Sequence, residues 1–116
     1  SGGGGIDGNE GEANYGFNAK DKKGSFQGSF SYHDFDWGSV KSESITSLLV
    51  YGDGATFSGT ALLDDNAEIT FTVYMADLGE PGIGVDYMLV KFFDTDGVKI
   101  YQNGGYITEG NLQIHK

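Results

Sequence analysis

Apolar and polar residues alternate along much of this chain. Between Ala55 and Met75, Ala55, Phe57, Gly59 and Ala61 alternate with Thr56, Ser58 and Thr60. After Asp64-Asp65-Asn66, Ile69, Phe71, Val73 and Met75 alternate with Glu68, Thr70, Thr72 and Tyr74. A period of two sends each set to one face of a pleated strand. The acidic break is made of residues that tolerate turn geometry and bond their own backbone. The stretch therefore reads as a β-hairpin with one apolar face and one Thr-rich face. A second layer must cover the apolar face.

The same pattern predicts a further hairpin upstream. Tyr15, Phe17 and Ala19 alternate with Asn14, Gly16 and Asn18. A turn at Asp21-Lys22-Lys23-Gly24 leads to Phe26, Gly28, Phe30 and Tyr32, with Gln27, Ser29, Ser31 and His33 on the opposite face. Residues 34–38, holding Phe35 and Trp37, read as a loop. Val40 to Glu43 reads as a short edge strand whose Lys41 and Glu43 discourage edge pairing. Ile45 to Tyr51, apolar on both faces, reads as a more central strand. Residues 76–85, with the single proline Pro81, read as a long loop. A strand over Asp86 to Phe93 should point Met88, Val90 and Phe92 inward. Asp94-Thr95-Asp96-Gly97 then turns the chain into Val98 to Tyr101. A loop over Gln102 to Gly110 and a last strand over Asn111 to His115, with Leu112 and Ile114 inward, complete the reading.

These short strands, at spacings of about 8–15 residues, predict an all-β, antiparallel β-sandwich of about eight to nine strands, immunoglobulin-like in its two stacked layers. The alternative is a closed antiparallel β-barrel. The 116 residues form one domain by size. Residues 1–12, SGGGGIDGNEGE, are expected to be a Gly-rich lead-in, and residues 13–116 the domain. An alternative for the lead-in is that Ile6 plugs into the edge of the fold while the glycines let the backbone pass close by.

Composition narrows the function classes. Twenty glycines and one proline suit tight turns and oppose long helices. Seventeen acidic and seven basic residues give a net charge of −10. That balance opposes nucleic-acid binding, which needs a basic stripe, and attachment to an anionic membrane surface. No apolar run is long enough for a helix to cross a bilayer, and membrane insertion is not expected. The chain has no cysteine, so neither disulfides nor thiolate metal sites arise. Its start at Ser1 is read as that of a processed or excised piece.

Four segments in order carry a resemblance: Ile6-Asp7-Gly8 after the glycine run, Ala13-Asn14-Tyr15-Gly16-Phe17, Gly79-Glu80-Pro81-Gly82 leading to Asp86, and Gly110-Asn111-Leu112-Gln113-Ile114-His115. Together they resemble a β-domain of unassigned function found toward the C-terminal ends of secreted and cell-surface proteins of bacteria and archaea. Tyr15 stands where such domains more often carry Phe, and Thr108-Glu109-Gly110 replaces a Gly-rich approach to the last strand. The resemblance implies an extracellular or cell-envelope location and brings no catalytic residues.

Candidate chemistry is sparse. His33 and His115 lie far apart in sequence and read as solvated side chains, so neither a Ser–His–acid arrangement nor a zinc site is built from them. Calcium is the metal best matched to acidic loops. Asp77, Glu80 and Asp86 flank one loop and form the candidate set, with Asp7, Asn9, Glu10 and Glu12 as a second. Asp94-Thr95-Asp96-Gly97 reads as a turn. Tyr74, Tyr87, Phe93 and Tyr101 fall on faces expected to point outward, with Trp37 in a loop. Trp37, Tyr74, Tyr87 and Tyr101 are the candidate ligand-binding rings for a sugar. The expected function is that of a non-catalytic module of a larger surface protein, with other surface domains or an extracellular polymer as partners. A carbohydrate-binding module is the alternative and an enzyme a distant third.

Overall fold

The computed structural model describes residues 2–8, 11–22, 25–52, 54–76 and 87–112. Among these residues eight strands succeed one another: β1 (Gly2–Gly8), β2 (Gly11–Lys22), β3 (Ser25–Asp34), β4 (Gly38–Tyr51), β5 (Gly54–Leu63), β6 (Ala67–Ala76), β7 (Tyr87–Phe93) and β8 (Lys99–Leu112). Each pairs antiparallel with the next, and β1 pairs with β8, which closes a barrel. The all-β antiparallel class is as expected. Of the two arrangements expected, it is the barrel that forms. The two immunoglobulin-like layers are absent because one sheet curls until its first and last strands meet.

The two hairpins read from alternation are present. β5 and β6 pair with Phe57 opposite Val73 and Gly59 opposite Phe71. β2 and β3 pair with Tyr15 opposite Tyr32 and Phe17 opposite Phe30. Partners across a ladder share a face, so both pairs of apolar sets enter the same interior.

Three expectations are corrected. Most of the Gly-rich lead-in is strand β1, hydrogen-bonded to β2 on one side and to β8 on the other. Glycine gives no side-chain pattern and weakens an isolated strand. Here two neighbours satisfy both backbone edges, and Ile6 is completely buried. The edge strand at Val40–Glu43 and the strand at Ile45–Tyr51 are one strand, β4, paired with β3 and β5. Its register shifts between Ser42 and Ser44 and again between Ile45 and Ser47. Such bulges break the period of two, which is why one strand reads as two. Leu49, in the stretch read as apolar on both faces, is 63% exposed. Finally, the loop expected over Gln102–Gly110 is strand, because β8 runs unbroken from Lys99 to Leu112.

An eight-stranded barrel is just wide enough for side chains to fill its interior. Here aromatic rings do so. Phe30 contacts Phe57 and Phe71 at centroid distances of 5.7 and 5.3 Å, and Phe57 contacts Phe17 at 5.8 Å. Tyr32, Phe92 and Tyr101 continue the column, with Tyr32–Phe92 at 5.4 Å and Phe92–Tyr101 at 5.5 Å. Met75, Met88, Val73 and Val90 fill the spaces between. Complete burial of each such apolar side chain contributes about 1.5–3 kcal/mol.

The described outer wall is largely polar, with Asn14, Ser31, Ser58, Thr60, Thr70 and Thr72 on outward positions. Hydroxyl pairs cross the strands, Ser44 with Thr60 at 2.8 Å and Ser58 with Thr72 at 3.2 Å. This is the reverse of a lipid-facing barrel, whose apolar band lies outside.

Candidate functional sites

Three places concentrate side chains of chemical interest: one inside the barrel near an end, and two on its outer wall.

The interior site begins with Asp34, which is 2% exposed. Alternation from Phe30 and Tyr32 carries position 34 inward, at the last residue of β3. Its Oδ1 accepts a hydrogen bond from the Asp36 backbone N–H at 2.8 Å, and the Trp37 N–H donates to the Asp34 carbonyl at 3.1 Å. These two bonds fold the β3–β4 turn and set Trp37 over the end of the barrel. There the indole stacks on Tyr101 at 4.1 Å and on Phe92 at 5.4 Å. Tyr101 donates its hydroxyl hydrogen to Asp34 Oδ2 at 2.6 Å. With that hydrogen committed, the Tyr101 oxygen accepts from Tyr32 O–H at 2.7 Å. Tyr32 in turn accepts from Asn103 Nδ2 at 3.0 Å, and Asn103 Oδ1 accepts from the Gly104 N–H at 3.0 Å. The result is a one-way relay, Asn103 to Tyr32 to Tyr101 to Asp34. Burial pushes the Tyr101 hydroxyl well above the usual tyrosine range, and its bonds to Asp34 and Tyr32 add to the rise. Tyr101 therefore stays protonated as a donor, and the cluster acts as a clamp that ties the Trp37 turn to β8.

The first outer site is a groove of about 250 Å³ across β2, β3 and β4. Registers align Asn14, His33 and Ser39 in one row and Gly16, Ser31 and Lys41 in the next. Gly16 and Ser31 leave the middle open: a Cβ on Gly16 would meet Ser31 Oγ at 3.3 Å. His33 Nδ1 is hydrogen-bonded to Ser39 Oγ, and the His33 ring stands edge-on to Phe35 at 4.5 Å. Phe35 itself is 71% exposed. Lys41 Nζ lies 3.9 Å from Asp65, with both side chains largely in solvent.

The second outer site is a tyrosine cluster on β6, β7 and β8. Tyr74 is opposite Leu89, Leu89 opposite Gly104, and Tyr87 opposite Tyr106. Tyr87 and Tyr106 meet edge to face at 5.5 Å. Gly104 has a packing role here, since a Cβ would come within 2.8 Å of Leu89 Cδ1 and 2.9 Å of the Tyr87 hydroxyl.

The rings chosen from the sequence divide between these places. Tyr74 and Tyr87 lie on the outer wall, half-buried, as expected of their faces. Tyr101 does not face outward but is 7% exposed, inside the barrel opposite Phe92. A register shift between Phe92 and Phe93 reverses the parity expected for it. Trp37 is half-buried against the core. The four rings are thus not brought to one surface. Tyr106, Asp34 and Asn103 do not stand out in the sequence. Continued alternation through β3 marks Asp34, whereas the register shift that hides the inward face of Tyr101 hides Asn103 too, and Tyr106 carries no sequence signal beyond its type.

His33 is not simply solvated, being half-buried and bonded to Ser39. Asp77, Glu80 and Asp86, the calcium set, lie outside the described residues, as do Asn9, Glu10, Ile114 and His115. Nothing describes the side chains of Asp7, Glu12 and Leu112. Asp94 Oδ1 accepts from the Asp96 and Val98 N–H groups at 2.9 Å each, so that carboxylate is occupied by its turn. Among the described residues no group of three or more His, Cys, Asp or Glu is placed to hold a metal ion.

Compared with protein-family models, curated proteins and solved structures, the chain matches none.

Proposed function

We propose that the chain is a non-catalytic module of a secreted or cell-surface protein, presenting its outer wall to a neighbouring protein domain or an extracellular polymer. The observation that carries this reading is the filled interior. Rings from Phe17 to Tyr101 occupy the barrel lumen where a ligand-binding barrel holds its cargo. Recognition then falls to the wall and the turns. Strands closed on both edges hold that wall rigidly, which lowers the ordering cost of binding. The acidic surface suits solubility outside the cell and disfavours anionic partners such as nucleic acid. The sequence resemblance to C-terminal surface domains supports the same location.

The test is sedimentation of the purified chain with cell-envelope or matrix material from the cells that make it, with an antibody locating the native protein. Saturable co-sedimentation and an extracellular location support the proposal. A protein found in the cytoplasm, with no affinity for envelope material, overturns it.

A carbohydrate-binding role is the second reading. It is favoured by tyrosines set in the outer wall, where ring faces and polar neighbours occur together.

A further inference from the structure

The groove across β2, β3 and β4 has the chemistry of a small binding site, its polar side chains standing beside the core residues Tyr15, Tyr32 and Val40 that also line it. Its middle is bare because Gly16 has no side chain and Ser31 a short one. Around it stand the Asn14 amide, the Ser31 and Ser39 hydroxyls and the His33 ring. Asn14 and Ser31 make no side-chain hydrogen bond among the described residues. An amide and a hydroxyl each both donate and accept. His33 has one ring nitrogen committed to Ser39, which orients the ring and leaves the other for a ligand. Beside the groove, at the β3–β4 turn and outside its lining, the exposed Phe35 ring packs edge-on to His33.

Charge decides between ligand classes. Lys41 is the cation at the rim, but Asp65 faces it at 3.9 Å. Asp64 lies beside Ser39, whose N–H donates to its Oδ1 at 2.9 Å. An anion would meet these carboxylates as well as the lysine. A cation would meet Lys41. A neutral ligand with hydroxyls on its rim and C–H groups on its face suits donors, acceptors and an exposed ring together. The volume, about 250 Å³, lies just below the range of pockets for drug-sized molecules, which fits one ring at a time.

We propose that this groove binds a single uncharged sugar residue of a glycan. Asn14, Ser31 and His33 hydrogen-bond its hydroxyls, and Phe35 packs on its C–H face. The proposal rests on the carbohydrate-binding reading and places the sugar on the opposite wall from the tyrosine cluster.

The test uses the intact chain on a panel of neutral oligosaccharides, followed by calorimetric titration and amide chemical-shift mapping with the best binder. Ser31→Trp fills the groove from an exposed position. Asn14→Ala removes one polar wall, and Tyr106→Ala alters the other candidate surface. Melting curves confirm that each variant is folded. The expected result is shift changes confined to β2–β4, binding abolished by Ser31→Trp, weakened about tenfold by Asn14→Ala, and unchanged by Tyr106→Ala. A glycan that binds with shifts on β6–β8 and loses affinity only in Tyr106→Ala overturns the groove but keeps the carbohydrate reading. Absence of any glycan binding at millimolar concentration overturns both.

Discussion

Replacing Tyr101 by Phe tests the interior relay with the least disturbance of shape. The ring remains, so its stacking on Trp37 and Phe92 is kept. Two hydrogen bonds are lost: Tyr101 O–H to Asp34 Oδ2 at 2.6 Å and Tyr32 O–H to the Tyr101 oxygen at 2.7 Å. The first is charge-assisted and contributes about 2 kcal/mol; the second, between neutral groups, contributes about 1 kcal/mol. Asp34, 2% exposed, is also left with one hydrogen-bond donor fewer. A loss of about 3 kcal/mol is expected. For 116 residues, an unfolding entropy of roughly 2.1 cal/mol/K per residue converts this to a Tm about 12 °C lower. Differential scanning calorimetry measures the shift, and indole emission checks that Trp37 keeps its surroundings. A decrease of less than about 3 °C with unchanged emission would refute the relay.

Tyr101 has a raised pKa in the folded state, so its contribution is fully present below the ordinary tyrosine pKa of about 10 and is lost as pH climbs beyond it. Urea midpoints measured from pH 8 to pH 11 should therefore fall at the alkaline end, and less steeply in Tyr101→Phe. Gly59→Ala should be severely destabilising, because its Cβ would lie 1.9 Å from the Ser44 carbonyl oxygen and 2.9 Å from Phe71 Cζ. Overpacking costs about 1–3 kcal/mol where neighbours can move, and a backbone carbonyl moves least, so a cost at or above the top of that range is expected by urea denaturation. Asp64 and Asp65 both have positive φ, 53° and 58°. Asp65→Gly should gain up to about 1 kcal/mol by relieving left-handed strain, whereas Asp64→Gly should lose stability because it deletes the acceptor of the Ser39 N–H. Equal effects at the two positions would contradict that assignment.

Much of the fold is legible in two-residue alternation. Phe30 and Tyr32, Phe57, and Phe71 and Val73 announce their faces because buried and exposed positions change at every step. The features that alternation hides have specific causes. β1 is mostly glycine, so it has almost no side-chain pattern to read. β4 and β8 carry register shifts, and each shift inverts the parity of the residues beyond it. Tyr101 reads as outward-facing for that reason. Gly104 resembles turn punctuation in sequence, yet it sits within β8 where Leu89 and Tyr87 need the space. Closure into a barrel depends on β1 reaching β8, a pairing across nearly the whole chain that no local pattern records. The candidate sites are less legible still. Asp34 lies in a stretch that reads as loop, and the groove arises from lateral register among Asn14, His33 and Ser39, which sequence order conceals.

The meeting of β1 with β8 is the claim on which the closed barrel, its filled interior and its outward-facing sites all depend. Backbone NOEs in solution test it most directly. The account predicts antiparallel cross-strand contacts linking Gly2 with Leu112, Gly4 with Gly110 and Ile6 with Ile107, with a slowly exchanging amide at Ile6. Rapid exchange throughout residues 2–8, with no NOE to residues 107–112, would contradict it.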